Sequence, residues 1–169
     1  MNRAKPDRLV LQLIVSIAQR SSRLEGEMIV KVFDVAAYIL TQKGELPAMK
    51  LQKLVYYSQA WSLVWDDEPL FSEIIEAWAN GPVTPDLYKQ HKGKFTVRTI
   101  EGEAQILTPN QIETVDKVLE FYGDKTSQWL SDLTHQEDPW INAREELISG
   151  QRGNQEITQA SMAEYYGSL

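Results

Sequence analysis

One stretch constrains this chain more than any other. Residues 48–65 place Leu51, Leu54, Val55, Trp61 and Trp65 along one helical face, and Tyr56, Tyr57, Ala60, Leu63 and Val64 fill most of the rest. The spacing predicts the longest helix of the chain, and a helix apolar nearly all round must lie in the middle of a domain. Lys50 and Lys53 are at odds with that pattern. They fall in the first turns, where the helix dipole disfavours cations by about 0.3–1 kcal/mol each. Either their stems cover apolar surface or their ammonium groups mark a contact site.

The flanking sequence supplies partners for this helix. Asp34 reads as the N-cap of a helix burying Val35, Ala36, Ile39 and Leu40, stopped by Gly44, with Pro47 opening the next as a first-turn residue. A turn at Asp66-Asp67-Glu68-Pro69 leads to a strand over 74–78, with Ile74, Glu76 and Trp78 on one side and Ile75 and Ala77 on the other. Asn80-Gly81-Pro82 ends it, and Thr84-Pro85 caps a short helix carrying Leu87 and Tyr88. Residues 94–100 and 103–107 read as a hairpin about Glu101-Gly102. Thr108-Pro109 caps a helix with Ile112, Val115, Leu119 and Tyr122 at core spacing; a shorter one carries Trp129, Leu130 and Leu133. Asp138-Pro139 caps another that starts with Trp140, and a last helix runs over 162–166. The fold class is therefore α+β, predominantly helical, a single compact domain with a small antiparallel sheet or hairpin.

Charge divides the chain unevenly. The net charge is −7, yet residues 1–24 hold Arg3, Lys5, Arg8, Arg20 and Arg23 against Asp7 alone, so they carry +4 and the remainder −11. The head could imitate a signal peptide, but Gln12 and Ser16 interrupt its apolar run, and Val10, Leu13, Ile14 and Ile17 lie at helical spacing. It reads as an amphipathic helix over 8–20 within an N-terminal extension, 1–28, ahead of the main domain, 29–169, in a cytoplasmic protein. So acidic a body disfavours phosphate backbones and suits a basic protein partner.

Few residues are equipped for chemistry. The 169 residues include no cysteine and two histidines, His91 and His135, which excludes disulfides and thiol catalysis and leaves little for metal binding. His135 with Glu137 and Asp138 is the one cluster resembling acid–base chemistry. No activated nucleophile or glycine-rich phosphate loop accompanies it, so His135 is expected to satisfy buried backbone groups instead. Asp66, Asp67 and Glu68 lack the spacing of a calcium loop. The 34–43 and 48–65 helices with a β wing also admit a helix-turn-helix reading, in which Lys50 and Lys53 approach base edges; the domain charge and the apolar girth of the second helix oppose it.

Four stretches share their order and spacing with a known family. They are Phe33-Asp34-Val35-Ala36-Ala37-Tyr38-Ile39-Leu40, residues 49–61 from Met49 to Trp61, Glu76-Ala77-Trp78-Ala79-Asn80-Gly81-Pro82-Val83, and Leu133-Thr134-His135-Gln136-Glu137-Asp138-Pro139-Trp140. Together they resemble the Panacea domain, the SocA-like antitoxin domain of bacterial and phage toxin–antitoxin operons, over about residues 30–166. The resemblance implies a non-enzymatic antitoxin without cofactor or metal, neutralising a co-encoded toxin by direct contact. Toxins paired with the family include translation inhibitors of the small alarmone synthetase type, and one subgroup resembles a proteolytic adaptor. On that reading Lys50, Lys53, Tyr57, Trp78, Tyr88 and His135 are the candidate contact or contact-supporting residues, with no membrane partner and nucleic acid disfavoured. The exposed face of the first helix, with Arg8, Gln12, Gln19 and Arg20, is an alternative contact.

Overall fold

The computed structural model describes residues 28–169 together with Leu9 and residues 12–14. The expected N-terminal helix over 8–20 and its boundary at residue 28 fall largely outside the described residues. Leu9 and residues 12–14 are helical, with Leu9, Leu13 and Ile14 exposed.

The predicted central helix spans Ala48–Trp65 (α2), and its middle, from Leu51 to Ala60, is buried without a break. Around it pack α1 (Val32–Lys43), α4 (Pro109–Tyr122), α5 (Ser127–Thr134) and α7 (Gln159–Gly167). Fully burying each of its Leu and Val side chains contributes about 1.5–3 kcal/mol. The tyrosines add geometry. Tyr57 stacks on Tyr122 at 4.1 Å between ring centroids and 7° between planes, and meets Tyr56 and Tyr166 edge-on.

Two glutamines in this apolar helix tie down the loops that cross it. Gln59 Oε1 accepts from the N–H groups of Leu70 and Phe71, while its Nε2 donates to the Phe71 carbonyl. Seven residues earlier, Gln52 does the same for Thr84: Oε1 accepts from the Thr84 N–H at 2.9 Å and Nε2 donates to its carbonyl at 3.3 Å. A buried amide satisfied at both ends costs little and fixes the chain segment it grips.

The strands are β1 (Leu46–Pro47), β2 (Ile75–Trp78), β3 (Gly81–Val83), β4 (Thr96–Val97) and β5 (Glu156–Ile157); they form a three-stranded antiparallel sheet, ordered β3-β2-β5, and a two-stranded one, β1-β4. In the first, β2 (Ile75–Trp78) turns through Ala79 and Asn80 into β3 (Gly81–Val83), with Trp78 opposite Gly81. The expected alternation holds from Ile75 to Trp78, Ile75 and Ala77 being buried and Glu76 and Trp78 half-buried. Asn80-Gly81-Pro82 does not merely end the strand; it reverses the chain into its partner. The third strand, β5 (Glu156–Ile157), had no counterpart in the sequence reading.

Four local expectations are corrected. The hairpin about Glu101-Gly102 does not form. Thr96–Val97 (β4) pairs instead with Leu46–Pro47 (β1), and Ala104–Ile106 is a 3-10 turn. The cause is Asp34: one carboxylate oxygen accepts from the Lys31 N–H and the other from the Glu103 N–H, both at 2.7 Å, which lays the 101–103 loop on the start of α1. Asp34 is thus the third residue of α1 and not its N-cap, and Pro47 precedes α2 as its N-cap. Asp138 likewise sits inside the first turn of α6 (Asp138–Ala143), whose N-cap is Glu137. The Thr84 and Thr108 starts hold, giving α3 (Pro85–His91) and α4, the latter with a reciprocal Thr108–Gln111 capping box.

Candidate functional site

A cleft of about 430 Å³ opens between the start of α2, the β2–β3 hairpin, α3 and the loop near Gly150. α2 contributes Met49, Gln52 and Lys53; the hairpin contributes Trp78 and Asn80; α3 contributes Tyr88 and His91, followed by Lys94; Arg152 closes the far side. Three of the six candidates, Lys53, Trp78 and Tyr88, therefore share one cavity.

The cleft wall is held by the Gln52 pincer. Because Gln52 Oε1 is occupied by the Thr84 N–H, its amide NH2 faces His91 Nε2 at 2.9 Å, so Nε2 is the acceptor and the imidazole proton sits on Nδ1. His91 is 3% exposed. Burial lowers it below the ordinary imidazole range; its own backbone carbonyl partly opposes this and Lys94 adds to it. On the rim, the Trp78 and Tyr88 rings meet edge-to-face at 4.9 Å, and Trp78 Nε1 donates to Glu76 Oε2 at 2.6 Å.

Lys53 is the surprise of the site. It is 1% exposed, and Nζ donates to the Pro82 carbonyl at 3.1 Å. Loss of water lowers its pKa to about 7. The side chain passes beneath Gly81, where an added Cβ would stand 2.5 Å from Lys53 Cε and 2.9 Å from Thr134 Oγ1. Lys53 is neither a solvated head on an apolar stem nor a group free to meet DNA. The middle of α2 is enclosed as well, which leaves a helix-turn-helix reading only Met49 and the half-buried Lys50 at the start of the helix.

The remaining candidates lie elsewhere. Tyr57 is fully buried, which closes it to surface contact, and its hydroxyl donates to Glu137 Oε2 at 3.0 Å. Tyr166 donates to the same oxygen at 2.6 Å. Burial outweighs these bonds and raises the Glu137 pKa to about 7. His135 does not satisfy backbone groups. It stacks on Trp140 at 4.1 Å, and its Nε2 has no partner among the described residues. Trp140 Nε1 in turn donates to the Trp78 carbonyl, and Arg144 to that of Ala77, so this layer backs the hairpin that carries Trp78. Lys50 is half-buried in a different neighbourhood, beside Lys43 and Asp124.

The sequence singles out no role for Gln52 or Arg144, offers His91 only as one of two histidines, and offers Glu137 only as a neighbour of His135. A signal for the first existed: Gln52 and Gln59 are amide positions two turns apart in a largely apolar helix, and such positions need buried partners. Asp66, of the acidic turn, accepts from Thr114 Oγ1, and no group of three or more His, Asp or Glu placed to hold a metal ion occurs among the described residues. No described helix is long and apolar enough to cross a membrane.

Comparison with known proteins gives one match. The family model of the SocA-like antitoxin, Panacea domain, aligns with residues 51–141, a little over half of the chain. Neither the curated proteins nor the solved structures yield a match. The matched segment runs from α2 to α6 and contains Gln52, Lys53, Trp78, Tyr88, His91 and His135. The chain belongs to the SocA-like antitoxin, Panacea domain family.

Proposed function

We propose that this protein neutralises a co-encoded protein toxin by direct contact, covering the toxin's active or substrate-binding surface and transforming nothing itself. The observation that carries the reading is the family match, because it falls on the segments that build the cleft and the layer behind it. Trp78 and Tyr88 supply the aromatic contact at the rim, where amphipathic rings yield most per residue. Lys53, Tyr57 and His135 support them from within, and Lys50 is an outlying contact one turn before Lys53. The acidic body steers a basic toxin surface into place. The toxin class that fits is a translation inhibitor such as a small alarmone synthetase-like enzyme, met in the cytoplasm, in an operon serving phage defence.

The test is co-expression of this chain with the product of the adjoining gene. Growth restored, together with a complex that survives size-exclusion chromatography, is the expected result. Growth that stays arrested despite folded antitoxin removes the reading.

A further inference from the structure

In this acidic protein the cleft has a cationic lining. Lys53, Lys94 and Arg152 line it, and no aspartate or glutamate is among its lining residues, although the main body outside residues 1–24 carries −11. The cations differ in kind. Lys53 is sealed at one wall, whereas Lys94 and Arg152 are exposed and free to close over an occupant. His91 lines the same cavity. The pincer of Gln52 forces its proton onto Nδ1, which has no hydrogen-bond partner of good geometry among the described residues and only its own backbone carbonyl nearby. A buried donor so poorly paired costs up to about 1–3 kcal/mol, which an incoming acceptor recovers. Two ring systems, Trp78 and Tyr88, border the same cavity. Its volume, about 430 Å³, lies within the range of small-molecule pockets.

We propose that the cleft binds a small anion bearing a flat ring, of the nucleoside phosphate class, with the phosphates on Lys94 and Arg152 and the ring against Trp78 and Tyr88, Lys53 adding its field from beneath the wall. His91 Nδ1 donates to a phosphate oxygen. Arg152 gives the planar fork suited to phosphate and Lys94 a mobile point charge. This assignment does not depend on the toxin reading, since it concerns the ligand of the isolated chain.

The experiment is isothermal titration calorimetry of the full chain with ADP, pyrophosphate and adenosine at low ionic strength. ADP is expected to bind one to one at micromolar to sub-millimolar concentration, and pyrophosphate and adenosine each about tenfold weaker or worse. The double variant K94E/R152E, altered only at exposed positions, is expected to lose ADP binding at least about tenfold with its thermal unfolding unchanged. K117E, a charge reversal outside the cleft, is the control and keeps it. Absence of ADP binding at millimolar concentration overturns the proposal. So does affinity unchanged in K94E/R152E, or adenosine or pyrophosphate binding as tightly as ADP.

Discussion

The Lys53 ammonium and the Pro82 carbonyl, 3.1 Å apart, form a single polar contact in a setting closed to water. One neutral acceptor does not replace the hydration of a full charge, so the folded protein releases the Lys53 proton near pH 7 and the unfolded chain near 10.5. Between those values the unfolded state binds more protons, and Lys53 makes stability rise with pH; below about pH 7 its penalty is present in full. Lys53→Met keeps the stem and drops the charge. It is expected to stabilise the fold by about 1–3 kcal/mol at pH 6.5, net of the lost hydrogen bond, and by little at pH 10. Urea unfolding of both proteins at the two pH values checks this.

Glu137 runs the other way. Its folded pKa of about 7 lies above the ordinary 4.5, so the folded state holds the proton more tightly. Its favourable term is complete below about pH 4.5 and is lost as pH rises through 7, a change of at most about 3 kcal/mol. Glu137→Gln keeps an acceptor for the Tyr57 and Tyr166 hydroxyls and cannot ionise. The variant is expected to lose less stability than the wild type between pH 5 and 7.5, measured by thermal unfolding across that interval.

What the sequence disclosed, and what it hid, follows from the range of the forces involved. α2 was legible because eighteen residues of apolar periodicity outweigh any local signal. The Thr84 and Thr108 starts were legible because a cap is decided within four residues. The false hairpin at Glu101-Gly102 failed because its strands had stronger partners far away: Leu46 and Pro47 for β4, and the Asp34 carboxylate for the loop. The site was half legible. Trp78 and Tyr88 stood out as aromatic residues beside turns, but the burial of Lys53 depends on Gly81 passing over it, twenty-eight positions on. His91 gains its meaning only from Gln52, which no periodicity links to it.

Gly81 and Gly150 allow that crowding to be measured apart from backbone strain. Both have positive φ, 105° and 76°, so an alanine is strained at either. At Gly150 an added Cβ meets nothing within 4 Å, whereas at Gly81 it meets Lys53 and Thr134. Gly150→Ala is expected to cost about 1 kcal/mol or less, and Gly81→Ala about 2–4 kcal/mol. Combining Gly81→Ala with Lys53→Ala removes the Cε and the ammonium that the new methyl would press upon, whereas Lys53→Met would keep a Cε in the same place. The double variant is therefore expected to recover part of the loss, a coupling that a thermal-unfolding double-mutant cycle reads directly.

Tyr88 separates the contact surface from the scaffold. Its ring meets Trp78 at 4.9 Å and His91 at 5.4 Å, both edge-to-face, yet it is only half-buried and carries none of the hydrogen bonds that hold the hairpin. Those belong to Trp140, Arg144, Ser131 and Lys53, which bind the carbonyls of Trp78, Ala77, Asn80 and Pro82. Tyr88→Ala is thus expected to lower stability by about 1–2 kcal/mol, the worth of the aromatic contacts and partial burial. If the rim holds the toxin, its effect on capture is larger, about 2 kcal/mol or more, a thirtyfold or greater rise in Kd. Trp140→Ala should show the opposite order. The fold loses the backing of the hairpin, and capture falls only as far as the unfolded fraction requires. Paired measurements of unfolding and of toxin affinity by surface plasmon resonance distinguish the two, and equal affinities for Tyr88→Ala and the wild type would move the contact away from this rim.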